Sequence, residues 1–279
     1  PLIDLAGVEG AAYVAGDGTI DPAAVGQGLA ARARRLGARI VEGVLVTGFE
    51  RSGTRPVAVL TDRGRIVCEQ VVLAAGVWAR PVGRMLALDL PIAALRHQFV
   101  VTEAMPDLPR GLPALRDPDL SLYVKPEIGR LAIGGWEASA ATAFDGETPF
   151  SFGQELFADD LERLEPILEA AVRRIPRLAE TGIQRCINGP IPFSPDGEPM
   201  LGPAPGMENV WLAVGFSAGV AASGGAGKAL AEWILDGAPE HPLPSLDPGR
   251  FRGITTDLAA LNAIGARVYS AYYALARRQ

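Results

Sequence analysis

Eighteen consecutive residues, Val210 to Gly227, carry no charge, a run long enough to cross a bilayer as a helix. Five of them are glycines, at 215, 219, 224, 225 and 227, and two are serines. Each glycine costs about 1 kcal/mol relative to alanine inside a helix, so one continuous apolar helix is a poor reading. The run divides instead into an apolar strand, Val210 to Val214, a tight glycine-rich loop, and a helix start that becomes amphipathic from Lys228 and continues through Leu235. Gly227-Lys228 is not the end of a phosphate loop, because that motif needs a glycine at position 222 and a hydroxyl residue at 229, and both are alanine. No G-x-G-x-x-G occurs anywhere, including at Gly16-Asp17-Gly18 and Gly26-Gln27-Gly28.

The first third of the chain reads as part of an α/β layer. Asp21 suits an N-cap, Pro22 a first helical position and Gly37 an exit, with Val25, Leu29 and Leu36 on the apolar face between them. Ala38 to Val46 alternates as a strand, and Val57 to Thr61 pairs with Arg65 to Cys68 across Asp62-Arg63-Gly64. Val71 to Gly76 is continuously apolar, as expected of a strand buried on both faces. From Pro91 to Arg185 the texture changes to pieces such as Gln98 to Thr102 and Leu131 to Gly134 between Pro-rich loops, which predicts an antiparallel sheet. Gln154 to Arg174 has acids early and Arg173-Arg174 late, the polarity a helix dipole favours. Pro166 predicts that this segment forms two short helices or a kinked one.

Across 279 residues, 26 basic and 32 acidic side chains leave a net charge of -6. Without a basic stripe, nucleic acid and acidic membrane surfaces are poor partners. Cys68 and Cys186 lie at neither a metal-ligand nor a redox spacing, so no metal site is expected and a reducing compartment fits, cytoplasmic or, in a eukaryote, the mitochondrial matrix.

His97 and His241 are the two histidines. His241 lies in a turn-like Glu240-His241-Pro242 tail. His97 stands in a strand of the middle region, and Tyr123 in another, so one face of one sheet can bring imidazole and phenol together. Alternation turns Arg96 and Lys125 away from these neighbours. Glu103 and Glu137 are expected to face water.

Gly16-Asp17-Gly18 to Pro22, Val71 to Trp78 (VVLAAGVW) and His97 to Thr102 (HQFVVT) resemble the flavin-dependent amine oxidoreductases of the D-amino-acid oxidase superfamily. Leu122-Tyr123-Val124, Gly134-Gly135-Trp136-Glu137, Asn188 to Gly197 and Gly224 to Ile234 continue the resemblance through essentially the whole chain, nearest in look to dimethylglycine and sarcosine dehydrogenases and oxidases. The resemblance implies a mixed α/β fold: a partial Rossmann-like FAD-binding domain, 1–90 and 187–250, an inserted antiparallel substrate sheet, 91–186, and the opening of a linker, 251–279. It also implies that the Gly-rich βαβ unit precedes the matched region, and that this stretch alone binds FAD weakly. Tyr269, Tyr272 and Tyr273 are then expected to be more exposed in this stretch alone than in a longer protein.

Position by position, Val46 matches a contact to the adenosine side of FAD, and Trp78 another cofactor contact. Gly215, Phe216, Ser217, Ala218, Gly219 and Val220 match the loop that passes the flavin ring. His97 and Tyr123 match the two positions on the substrate side. The implied reaction is oxidative N-demethylation of dimethylglycine or sarcosine by hydride transfer to FAD. A His with an ordinary pKa of about 6.5 then favours the neutral amine, and Tyr123 orients it or its carboxylate. A tetrahydrofolate-binding domain beyond the C-terminal end is a further implied partner. The rival readings are oxidation of another amino acid, such as a proline-like ring, and a flavin-binding subunit without turnover. Trp136 and Phe99 replace frequent tyrosines of the family, which bears on pocket size and polarity.

Overall fold

The computed structural model describes residues 2–153 and 155–275. Helix α1 (Pro22–Arg35) begins as its sequence predicts: the Asp21 carboxylate accepts the Ala24 N–H at 2.8 Å, and the chain leaves through Gly37 at φ 96°. Its apolar face, however, buries nothing, and Leu29 and Leu36 stay exposed. The strand expected over Ala38 to Val46 is absent. Ile40, Val41 and Leu45 are exposed there, and the stretch before Val46 pairs with none of the described strands. The chain becomes a strand only at β1 (Val46–Ser52), which pairs antiparallel with β2 (Arg55–Thr61); β2 in turn pairs with β3 (Gly64–Val67) in the expected hairpin, Thr61 opposite Gly64.

Strand β4 (Val71–Leu73) buries Val71 and Leu73 but leaves Val72 exposed, so this run is covered on one face rather than two. A short turn over Gly76–Trp78 leads into α2 (Ala79–Arg84). Next come β5 (Ala93–Thr102), β6 (Leu115–Asp117), β7 (Leu122–Glu127) and β8 (Arg130–Gly135). Helix α3 (Leu161–Arg174) and β9 (Ile183–Phe193) follow, and these five strands form one antiparallel sheet in the order β6-β7-β8-β5-β9. Strands β10 (Met200–Pro203) and β11 (Val210–Val214) then return to β4, in the order β10-β11-β4, with β11 parallel to β4. Helices α4 (Gly219–Asp236), α5 (Leu258–Ser270) and α6 (Tyr272–Leu275) complete the described chain.

Helix α3 starts at Leu161, later than the acidic run suggests, because Asp160 caps it by accepting from the Arg163 N–H. Pro166 lies inside this single helix instead of dividing it in two. An interior proline costs about 3 kcal/mol. Burial of Leu164 and Ile167 against Val100, Leu122 and Ile133 offsets that, at roughly 1.5–3 kcal/mol per side chain. Helix α5, capped by Asp257, lies against β5, with Gly265 allowing close approach to Ala93. Alternation along β5 sends Val100 toward α3 and Leu95 toward the α5 side, so the two helices cover opposite faces of the sheet.

The glycine pair that ends β8 makes room for the side chains around it. A Cβ at Gly134 would overlap the Tyr123 hydroxyl, and one at Gly135 would overlap the backbone oxygen of Ser121. A phenol can swing aside more readily than the Ser121 carbonyl, which is held in a turn where it accepts the Trp136 N–H. Gly135→Ala is therefore expected to lower stability more than Gly134→Ala, with overpacking costs of roughly 1–3 kcal/mol. Thermal unfolding of both variants checks the order, and equal midpoints would contradict it.

Candidate active site

His97 lies in the middle of β5, opposite Gly189 of β9 and on the face covered by α5. Its Nε2 is 3.1 Å from the Tyr123 hydroxyl, and its Nδ1 is 2.7 Å from the hydroxyl of Tyr269. The two residues expected to meet on one face of one sheet do meet, across Gly134 of the intervening β8, with a third from the last long helix. Trp136 stands 5.3 Å from the imidazole between ring centres, and Tyr272 stacks on its indole at 4.1 Å. The indole N–H of Trp136 is buried without a hydrogen-bond partner among the described residues.

This setting changes the expected chemistry of His97. Burial among aromatic rings pushes its pKa down to about 4, and the nearby Arg163 guanidinium pushes the same way. The imidazole is thus neutral throughout the physiological range, rather than poised near 6.5. Burial also raises the pKa of Tyr123 and Tyr269, so both phenols keep their protons.

Glu137, expected to face water, is 2% exposed and pairs with Arg163 of α3. The chain turns inward as it leaves β8, and a carboxylate carried into the interior needs a cation beside it. Burial pushes the Glu137 carboxyl up to about 7 while Arg163 pulls it down, and its Oε1 has no hydrogen-bond partner among the described residues. Arg96, next to His97, is turned to the other face, where it lies 4.6 Å over the Phe157 ring, whereas Lys125, two residues from Tyr123, shares that residue's face of β7 and is engaged by Glu127 at 3.8 Å.

The tyrosines near the C-terminal end are largely covered within the described chain. Tyr269 is fully buried, Tyr273 is nearly so, and Tyr272 is half-buried, because α5 presses this segment onto the sheet. The sequence held a signal for this: residues 269, 272 and 273 follow the i, i+3, i+4 spacing that puts side chains on one helical face.

The expected cofactor residues fall into two groups. Val46 and Trp78 meet in a cleft of about 250 Å³ with Leu45, Ala75 and Phe152, where the Trp78 indole donates to the Pro149 carbonyl at 3.0 Å. Gly215, Phe216, Ser217 and Ala218 form the turn from β11 into α4, which opens with Gly219 and Val220. Gly215 holds φ 79°, and a Cβ there would lie 3.0 Å from Ile92. Ser217 lies near the Tyr272 hydroxyl, which brings this turn beside the aromatic cluster around His97. Ala218 has no polar side chain with which to cap α4. An uncapped helix start behind a glycine turn suits negative charge, at about 0.3–1 kcal/mol, and the apolar cleft suits a flat ring. These residues fit a flavin nucleotide.

Comparison with known proteins agrees. A family profile described as FAD dependent oxidoreductase (DAO) matches residues 1–233. The mouse (Mus musculus) mitochondrial dimethylglycine dehydrogenase is 40% identical over 264 residues, covering 92% of this chain and 30% of the relative. Human (Homo sapiens) mitochondrial sarcosine dehydrogenase is 39% identical over 263 residues, covering 92% of this chain and 28% of the relative. The crystal structure of L-proline dehydrogenase from P. horikoshii superposes with a TM-score of 0.77 at 26% identity, covering 90% of this chain and 65% of that one. The chain thus spans less than a third of the length of these two dehydrogenase relatives. With the profile matched over most of its length and a mixed α/β fold shared with a solved flavoenzyme, the chain belongs to the FAD dependent oxidoreductase family, DAO.

Proposed function

We propose that this protein oxidises a small N-methylated amino acid, dimethylglycine or sarcosine, and removes an N-methyl group with FAD as the oxidant. The observation that carries this reading is the His97–Tyr123 pair, set in an aromatic pocket with Trp136, Tyr269 and Tyr272 that lies beside the turn suited to flavin. In this reading residues 91–186 form the substrate side, 1–90 and 187–250 the cofactor side, and the chain from 251 closes the pocket as it leads onward. A tetrahydrofolate acceptor for the released carbon belongs to the same proposal.

Bound FAD supplies a two-electron acceptor for a C–H bond next to nitrogen. The residues of this chain prepare the amine. Only a neutral amine has the lone pair that drives such an oxidation, and the desolvation that keeps His97 neutral also disfavours an ammonium ion. The unpartnered Trp136 N–H and the Tyr123 hydroxyl are donors suited to a carboxylate. His97 holds Tyr123 in place through its Nε2.

Anaerobic addition of dimethylglycine or sarcosine to the FAD-loaded protein is expected to bleach the flavin absorbance. Bleaching by L-proline alone would transfer the reading to a cyclic amino acid, and no bleaching by any of the three would remove it. The His97→Gln variant is expected to reduce its flavin roughly five- to tenfold more slowly, the effect of about one neutral hydrogen bond. Because His97 does not titrate between pH 6 and 9, the rate profiles of variant and parent should run parallel there. An inflection near 6.5 present in the parent and missing from the variant would show instead that the imidazole ionises during turnover.

A further inference from the structure

We propose that Tyr269 is a positioning residue that locks His97 in its Nε2–H tautomer and thereby leaves Tyr123 with a free hydroxyl hydrogen aimed at the substrate carboxylate. The last step rests on the function proposed above; the tautomer does not.

A neutral imidazole carries one hydrogen on two nitrogens, and here each nitrogen faces a phenol. Two arrangements exist. Either Tyr269 donates to Nδ1 and Nε2–H donates to Tyr123, or every hydrogen runs the other way. Burial decides between them. Tyr269 is 0% exposed, so its hydroxyl hydrogen finds no water, and His97 Nδ1 is its one hydrogen-bond acceptor among the described residues. In the reversed arrangement that oxygen would accept from Nδ1–H and strand its own hydrogen in the interior, where an unmade hydrogen bond is costly. The lengths agree: 2.7 Å suits an O–H donor, and 3.1 Å suits an N–H donor.

The direction then propagates. Tyr269 donates to Nδ1, and Nε2–H donates to Tyr123. Tyr123, already accepting from the imidazole, must spend its own hydrogen elsewhere. The charged groups facing the imidazole do not reverse this. Arg163 from α3 opposes a second proton on the ring, and Glu137 is occupied by that arginine. Arg116 of β6, nearest Tyr123 on the other side, reaches the Tyr273 hydroxyl at 3.4 Å.

The test is 15N labelling of the histidine imidazoles in the FAD-loaded holoenzyme at pH 7, with His97→Asn identifying the signal by its loss. The expected spectrum has His97 protonated at Nε2 in the parent and shifted partly or wholly to Nδ1 in Tyr269→Phe, which keeps the ring and removes the hydroxyl. A parent protonated at Nδ1, or a tautomer unchanged in Tyr269→Phe, overturns the proposal; the parent spectrum decides even if the variant folds poorly. In steady state, Tyr269→Phe is expected to raise KM for a carboxylate-bearing amine roughly tenfold, about the loss of one hydrogen bond to a charged group, with a smaller change in kcat. A changed tautomer with unchanged KM would overturn the role given to Tyr123. If no amine reduces the flavin of the parent, the proposed function fails, and the imidazole spectrum still decides the tautomer.

Discussion

The pairing of β5 with β9, from Ala93 opposite Phe193 to Thr102 opposite Ile183, places His97 at the centre of a sheet covered by α3 on one face and α5 on the other. Because a strand points successive side chains to opposite faces, one register settles several questions together. Gln98 turns toward the start of α3, where its amide donates to the Asp160 carbonyl. His97 turns toward α5. A slip of one residue would exchange them and put an imidazole where α3 packs.

The buried charged residues Arg80, Glu137 and Arg174 each have an ionic partner. Arg163 meets Glu137, Arg174 meets Asp117 at 2.9 Å, and Arg80 meets Glu147 at 3.0 Å. Buried pairs of this kind contribute little net stability, but losing one member leaves a costly bare charge. They do fix geometry: Arg163 ties the end of β8 to α3, so the turn that carries Trp136 and Glu137 cannot drift from the site. The imidazole, by contrast, is kept uncharged by aromatic walls and by a neighbouring cation of the same sign it would acquire.

Much of this was legible before any coordinates. The hairpin across Asp62-Arg63-Gly64, the strand from Val210 to Val214 and the capped start at Asp21 depend on local rules, and local rules suffice for them. The meeting of His97 with Tyr123 was legible from alternation together with the family resemblance. What escaped were properties set by distant packing. Ala38 to Val46 has the alternation of a strand but pairs with no neighbour before Val46. Glu137 looked like a surface carboxylate because its arginine comes 26 residues later. The packing of the C-terminal tyrosines was not legible because a helical stripe does not announce which sheet it will cover. The pKa of His97 was misjudged for the same reason, since the rings around it come from β7, the end of β8 and α5.

The bond between His97 and Tyr269 joins residues 172 positions apart in sequence. Nearly the whole described chain must therefore be synthesised before the imidazole can acquire its last partner, and contacts of such long range form late in folding because closing the loop costs entropy first. The reverse holds for local opening. Release of α5 from β5 would expose His97 to water and return it toward an ordinary histidine, while the rest of the sheet kept its pairing. The charge state of a single side chain thus doubles as a marker of whether the final helix has docked.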